Sequence, residues 1–391
     1  MSLPADASRS STSATASSKV LGQGRDALPL LFVVKVQASS KDVDGLKTFV
    51  EAAQISVKRA FCAVQLIGGG NSLDEKLMVG GQAVIEGVMM RGPGRSATAV
   101  RTPDGRISVE SKEVRSFSDR FPVFKKPFLR GTVALVESLV IGIRSLSWSA
   151  KMAGEEEEQL SDKELAGTIA IAFVLAAVLF IALPTGAAKL FHAWSDDPIF
   201  LNLAEGFLRL FIFLAYIWGI SRMKDIQRVF QYHGAEHKTI FCFEAGLPLT
   251  AENAQKFERF HPRCGTSFLL IVMLVSIFVF AFLGWPDLWL RIVSRIVLLP
   301  VVAGISYEAI RLAGRSKNIF VHALSLPGLW LQRLTTREPD ASMLEVAIES
   351  LKAALPEDKI PAGSADYRKT ADSETAVYET PAAAFAAGEG K

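Results

Sequence analysis

The hydrophobic positions of this chain fall in blocks. Leu165 to Ala188 runs for 24 residues without a charged side chain, the length a helix needs to cross a hydrocarbon core. Pro184 is expected to kink or end it. Leu201 to Ser221 forms a second block, with Glu205 and Arg209 four apart, a spacing at which they are expected to pair. Thr266 to Pro286 is a third, free of charge for 21 residues, and residues 291–312 form a fourth, with Arg295 near the start and Glu308 towards the end. Ahead of these, Val133, Val136, Val140 and Ile143 keep helical periodicity over 128–150. Glu137 and Arg144 interrupt that run, which predicts an interfacial or protein-packed helix rather than a lipid-facing span. Earlier still, two alternating segments, Ala97 to Arg101 and Arg106 to Glu110, flank Pro103-Asp104-Gly105, a hairpin signal. Beyond the blocks, Met343-Leu344, Ala347-Ile348 and Leu351 share one face of a further helix.

This pattern predicts a mainly α, polytopic α-helical membrane protein with about four transmembrane helices and a small α+β part containing a β-hairpin. The expected divisions are a targeting or disordered extension (1–75), a Gly-rich stretch and hairpin (76–127), and an interfacial helix with an acidic loop (128–160). A four-helix membrane domain with a His-rich loop at 222–265 follows (161–325). A C-terminal motif and helix (326–358) and a disordered tail (359–391) complete the chain.

Half of the 391 residues are hydrophobic and the mean hydropathy is +0.28, which agrees with a chain whose main partner is the lipid bilayer. The net charge of +3 supplies no argument for nucleic acid. The three cysteines, Cys62, Cys242 and Cys264, are odd in number and lack disulfide-framework spacing, so a reducing compartment or a metal-bound Cys264 fits better. The first twenty residues are rich in Ser, Thr and Ala, with Asp6 their only acid. That is transit-peptide chemistry, with an unaddressed disordered tail as the competing reading. Lys and Arg concentrate in the loop between the second and third blocks and after the fourth. Both termini and the His-bearing loop are therefore expected on the cis side, the cytosol or its plastid equivalent, the stroma.

The candidate chemistry lies in that loop. Only five histidines occur, and three lie in Tyr232–Lys238 and His261–Thr266. His233 and His237 are four apart, so a helix presents both on one face, with Glu236 beside them in the H-x-x-E-H order. In that arrangement two imidazoles hold zinc, or another divalent metal, and the carboxylate is the general base. His261 and Cys264 are candidate further ligands, and Glu244 or Glu308 a carboxylate ligand. Glu308 is also a candidate catalytic group, being ionisable within a membrane block. Lys238 would hold an anionic substrate or solvate a helix face. In the Gly-rich stretch Val79–Arg95, Glu86 and Arg91 would pair with each other or reach a ligand. Against all of this stands a structural His/Glu/Lys hydrogen-bond cluster near the membrane surface.

Four stretches, Gly80–Arg91, Tyr232–Lys238, His261–Thr266 and Leu329–Asp340, in this order resemble the YqhQ-like family of bacterial and plastid-lineage membrane proteins. The resemblance covers roughly residues 78–355. It implies a metal-dependent enzyme whose reaction the family does not supply, and, with the N-terminal extension, a chloroplast membrane. A bacterial-type plasma membrane is the alternative location. The readings carried forward are a zinc-dependent membrane enzyme, such as a hydrolase acting on an unknown substrate at the cis surface, and a non-catalytic scaffold with a structural metal or polar cluster and a protein partner. A third is a small-solute transporter that depends on Glu205, Arg209, Arg295 and Glu308.

Overall fold

The computed structural model describes residues 77–379, apart from 78, 128, 155–160, 314–318, 366–367 and 372–374. The expected targeting extension, the acidic run at 155–158 and the last twelve positions lie outside the described residues. Six antiparallel strands, β1 (Gly80–Val84), β2 (Gly87–Arg91), β3 (Arg95–Arg101), β4 (Ile107–Glu113), β5 (Arg368–Ala371) and β6 (Thr375–Glu379), form one sheet in the order β1-β2-β3-β4-β6-β5. The longer helices are α1 (Leu129–Ala153), α2 (Asp162–Ala177), α3 (Pro198–Ile220), α4 (Lys224–Glu244), α5 (Gly265–Ala281), α6 (Leu288–Ala313), α7 (Ile319–Thr335) and α8 (Ala341–Ala354).

The expected hairpin is β3–β4, closed at Arg101↔Ile107. Gly105 supplies the left-handed turn residue at φ 83, and the Asp104 carboxylate accepts from Thr102 Oγ1 and the Arg106 N–H. The Gly-rich stretch before it is itself a hairpin, β1–β2, joined through Ile85 and Glu86. The disordered tail expected from 359 onward gives way at 368–379, where two strands continue the sheet and Ile107 of β4 pairs with Tyr378. The reason is that β4 would otherwise present a bare edge, and Thr375-Ala376-Val377-Tyr378 carries β-forming residues to cover it.

Both faces of the sheet are covered, and strand alternation decides which residue goes where. Val88, Met90, Ala97 and Ala99 point into a core shared with Leu344, Ile348 and Leu351 of α8 and with Tyr232 and Ala235 of α4. Val84, Met89 and Val100 point the other way, onto Ile141, Trp148 and Met152 of α1.

Among the described residues four helices are long and apolar enough to cross a membrane: Leu129–Ala153, Lys163–Ala193, Pro198–Ile220 and Leu288–Leu312. The number matches the expectation and one member differs. The third apolar block contains a helix of only 17 residues, α5, about 25 Å of rise against the ~30 Å of a hydrocarbon core. It stops because the chain turns at Gly284, φ 73. Helix α1 has the length of a span and exposes Val136, Leu139, Val140 and Leu146, while its other side packs on protein. Arg130 pairs with Glu308 near the end of α6, and Gln82 donates to the Gly142 carbonyl from the sheet. Large apolar side chains on the other spans face outward as well, including Ile171, Val174, Phe207, Phe211 and Val297, as a lipid-facing band requires.

Pro184 does not end the second span. Helix α2 passes through a π-helical turn, Val178–Ala182, and continues as α-helix over Leu183–Ala187. Proline lacks the N–H that would take the carbonyl four residues back. That carbonyl, of Phe180, accepts from Arg209 Nε at 2.9 Å. Arg209 also makes the expected pair with Glu205, at 2.7 Å.

Candidate metal centre

Helix α4 starts as an exposed polar helix and then buries every residue from Tyr232 to Ile240. Two glycines make this approach feasible. A Cβ on Gly234 would lie 2.1 Å from the carbonyl oxygen of Arg337, so only glycine lets the strand-like segment after α7 run against α4. A Cβ on Gly81 of β1 would meet the Met89 carbonyl oxygen at 2.4 Å and the Glu236 carboxyl carbon at 3.2 Å. The Gly81 N–H instead donates to that carboxylate.

His233, His237 and Cys264 converge with one ligand atom each, all within 4.8 Å of one another and all buried. His233 Nδ1 lies 2.8 Å from the Thr335 carbonyl and His237 Nδ1 2.5 Å from the Arg259 carbonyl. Carbonyls only accept, so both Nδ1 atoms carry the proton and both Nε2 atoms are turned towards the thiol, the outer hydrogen bonding typical of metal-binding histidines. His233 Nε2 is 3.1 Å from Cys264 Sγ. His237 Nε2 is buried without a hydrogen-bond partner among the described residues, as is Glu236 Oε2. Cys264 is the N-cap of α5 and accepts from the Thr266 N–H, so its sulfur sits at the positive end of a helix.

The charges follow from this packing. Burial pushes the Cys264 thiol up, but the charge and hydrogen bond of His233, then those of His237, outweigh it and hold the thiol well below its usual range. For His233, burial acts downward, and the Cys264 charge and hydrogen bond with the Glu236 charge prevail, raising it to about 9. Glu236 is raised because burial outweighs His237 and His233. His233 and Cys264 thus each favour the other's charged form. A divalent cation would replace the proton between them and reverse these preferences.

Other predicted site residues are placed differently. His261 is buried next to His237 but outside the three-residue group. The Arg263 N–H donates to its Nδ1, so Nε2 carries the proton and faces Glu244 at 3.9 Å. At that distance Nε2 makes no hydrogen bond and is buried without a partner among the described residues, while Glu244 pairs with Arg263. Lys238 is 3% exposed, donates to the Gln255 carbonyl and pairs with Glu338. Glu308 is held by Arg130 through two hydrogen bonds, at 2.7 and 2.5 Å. Glu86 and Arg91 do not pair with each other, because a two-residue turn places them at opposite ends of β2. Arg91 pairs with Glu137, while Glu86, a non-glycine residue at φ 51, is gripped by Arg228 and accepts from Tyr232 Oη.

Sequence reasoning missed the backbone groups. Thr335 and Arg259 contribute carbonyls and Gly81 an N–H, for which no side-chain signal exists. Gln332 was findable, since it lies in the Leu329–Asp340 stretch. Its side chain accepts from the His261 N–H and donates to the His261 carbonyl, each at 2.8 Å. All four stretches singled out in the sequence meet around His233, His237 and Cys264.

The chain matches the family described as "Protein of unknown function (DUF1385)" over residues 126–357. "Uncharacterized protein YqhQ" of Bacillus subtilis (strain 168) is 40% identical over 297 residues, which cover 71% of this chain and 92% of that protein. No solved structure matches.

Two outcomes follow from the way residues 335–340 are held. Gly234→Ala should destabilise the protein by about 1–3 kcal/mol, because backbone must move. Gly219→Ala, where a Cβ meets nothing within 4 Å, should stay within about 0.5 kcal/mol of the parent. Thermal unfolding in detergent measures both, and equal midpoints would refute the close approach. Glu338 provides a pH test. Burial pushes its carboxyl up, but hydrogen bonds and charges from Lys238 and Arg259 prevail and hold it below the ordinary 4.5. Its contribution is therefore present above pH 4.5 and lost as pH falls through the lower folded value. The midpoint of Glu338→Gln should fall less than the parent's between pH 6 and pH 4; parallel curves would count against the clamp.

Proposed function

The chain belongs to the DUF1385 family, and from the geometry of the site we propose that it is a membrane-embedded, zinc-dependent hydrolase. His233, His237 and Cys264 would be the zinc ligands and Glu236 the general base. The observation that carries this reading is the pair of orphaned atoms: His237 Nε2 and Glu236 Oε2 are buried without partners among the described residues. Buried polar atoms are normally satisfied, so the pocket is built for something that binds a nitrogen lone pair and something that meets a carboxylate oxygen. A divalent cation supplies the first and a water or substrate proton the second. Two imidazoles and a thiolate favour zinc over hard cations. When bound, zinc supplies a Lewis acid that polarises a carbonyl and acidifies water.

The remaining work belongs to the chain. The Thr335 and Arg259 carbonyls hold the imidazoles in one tautomer and one orientation. Glu236 is positioned to accept a proton from attacking water and to return it to the leaving group. The Gly81 N–H fixes that carboxylate from the sheet side. Three ligands, not four, leave a position for substrate, which favours catalysis over a structural staple. The site lies at the first residue of an apolar helix, so the substrate class it suits is an amide, peptide or lipid-linked group presented at the membrane surface. The Ser/Thr/Ala-rich leader and the loop charges support a chloroplast membrane with this site on the stromal side. A fluorescent fusion of residues 1–75 that stays cytosolic would exclude that address.

Elemental mass spectrometry of detergent-purified protein tests the assignment. About one zinc per chain is expected, lost in His233→Ala and Cys264→Ala and kept in Glu236→Gln. The last variant should also lose turnover in a screen of ester and amide reporters by about a hundredfold or more. Absence of metal in every form would end the metalloenzyme reading. Metal whose removal unfolds a chain that tolerates Glu236→Gln would make the site a staple of a scaffold.

A further inference from the structure

A second buried polar cluster lies at the other end of α5. There the Asn202 amide donates to the Gly284 carbonyl at 2.8 Å, which ties the start of α3 to the turn before α6. Glu205 is fully buried and is surrounded: Arg295 Nη2 donates to it at 2.7 Å, Arg209 Nη2 at 2.7 Å and Thr185 Oγ1 at 2.8 Å. One carboxylate therefore serves two guanidinium groups. A third, Arg291, sits one helical turn before Arg295 on the same face of α6 and within reach of the charges of Glu205 and Arg295. Arg291 is 4% exposed. Its guanidinium lies over the Trp285 ring, 3.9 Å from the centroid, and its Nε and Nη1 are buried without a hydrogen-bond partner among the described residues.

Three guanidiniums against one carboxylate leave an excess of two positive charges inside a helical membrane domain. An uncompensated buried charge costs several kcal/mol. The nearby acids do not offset it. Asp287 is exposed, Asp196 bonds His192, and Asp197 caps α3 through the Phe200 N–H. Arg291 lies in the first turn of α6, and Arg295 and Glu205 lie about 10 Å along their helices. Spans of this length exceed a hydrocarbon core of ~30 Å by only a few ångströms at each end, so the first-turn Arg291 lies at the edge of the headgroup layer and Arg295 and Glu205 lie deeper, within the core. Arginines near helix ends usually reach outward to that layer, whereas Arg291 is turned into the bundle.

We propose that Arg291, with Arg295 behind it and Trp285 as its floor, is a binding site for a phosphate group at this end of the membrane domain. The unpartnered Nε and Nη1 lie on different edges of the guanidinium, and each forms with Nη2 a fork that can donate to two phosphate oxygens, the geometry for which arginine is suited over lysine. The phosphate comes from a phospholipid headgroup or from the free ion. The site is independent of the metal centre, from which the 17-residue α5 separates it by about 25 Å.

The test is thermal unfolding of the purified full chain in maltoside micelles with four additions. These are inorganic phosphate, sodium chloride at equal ionic strength, phosphatidylglycerol, and diacylglycerol. Phosphate or phosphatidylglycerol should raise the midpoint by about 3–5 °C over its control. A response to both, or to phosphate alone, identifies the free ion as sufficient, and a response to phosphatidylglycerol alone identifies the headgroup. Arg291→Met should abolish the response and Arg291→Lys reduce it, with metal content unchanged in both. If Arg291→Met does not fold, retention of phosphatidylglycerol by the parent and by Arg291→Lys in native mass spectrometry replaces it, with weaker retention expected for the lysine variant. No shift with either anion in the parent, an undiminished shift in Arg291→Met, or equal retention in that second measurement overturns the proposal.

Discussion

Burying a helix that carries two imidazoles, a carboxylate and an ammonium within six residues is a severe constraint, because each polar atom taken from water needs a replacement partner. Residues His233 to Lys238 of α4 are all buried, and the surrounding architecture can be read as the set of partners they require. The segment after α7 runs against Gly234 and delivers the Thr335 carbonyl to His233 and the Glu338 carboxylate to Lys238. The 255–264 loop delivers two carbonyls, to His237 and Lys238, and the Cys264 sulfur. Strand β1 delivers an N–H to Glu236. Three chain segments distant in sequence are thus fixed against one helix by hydrogen bonds that have no apolar substitute.

Among the buried atoms left unmatched in this region, which include His261 Nε2, Thr239 Oγ1 and Arg259 Nε, those on His237 and Glu236 lie beside the Cys264 sulfur or the two histidines that face it. Their position beside a buried thiol is what supports the proposal of a ligand there. The same reasoning applies at the opposite end of the membrane domain, where Glu205 is oversubscribed and Arg291 is not matched. The short helix α5 connects the two regions. Its N-cap is a metal-ligand candidate, and the Gly284 carbonyl just beyond its other end accepts from Asn202. A lateral shift of that helix would disturb both regions, which is why its central position among α3, α6 and α7 matters to function as well as to packing.

Several of the candidate residues have a partner that local spacing did not announce. Lys238 has Glu338, Glu308 has Arg130, His261 has Gln332, and Arg91 has Glu137. Each partner is more than ten residues away in sequence. Ionisable residues in a membrane block attract a functional reading because isolated charges there are costly, but a long-range ion pair removes that cost without any ligand. The tail strands were missed for a similar reason. Residues 375–379 carry no strong signal alone and become a strand because β4 has an edge to be covered.

What the sequence determined by itself were the properties that depend on local spacing. Apolar blocks of about twenty residues specified membrane helices, Asp-Gly between alternating segments specified the β3–β4 hairpin, and the four-residue spacing of His233 and His237 put both imidazoles on one face. The family resemblance was legible in four short stretches. The tertiary structure alone decided which candidates share a site. It brought Cys264 to the histidines, set His261 beside His237 but outside the three-residue group, paired Glu308 with Arg130, and used backbone groups of Thr335, Arg259 and Gly81 that no residue type announces. The physical reason is that a metal site or a buried ion pair depends on distances of a few ångströms between segments far apart in the chain, and local patterns constrain only the segment they lie in.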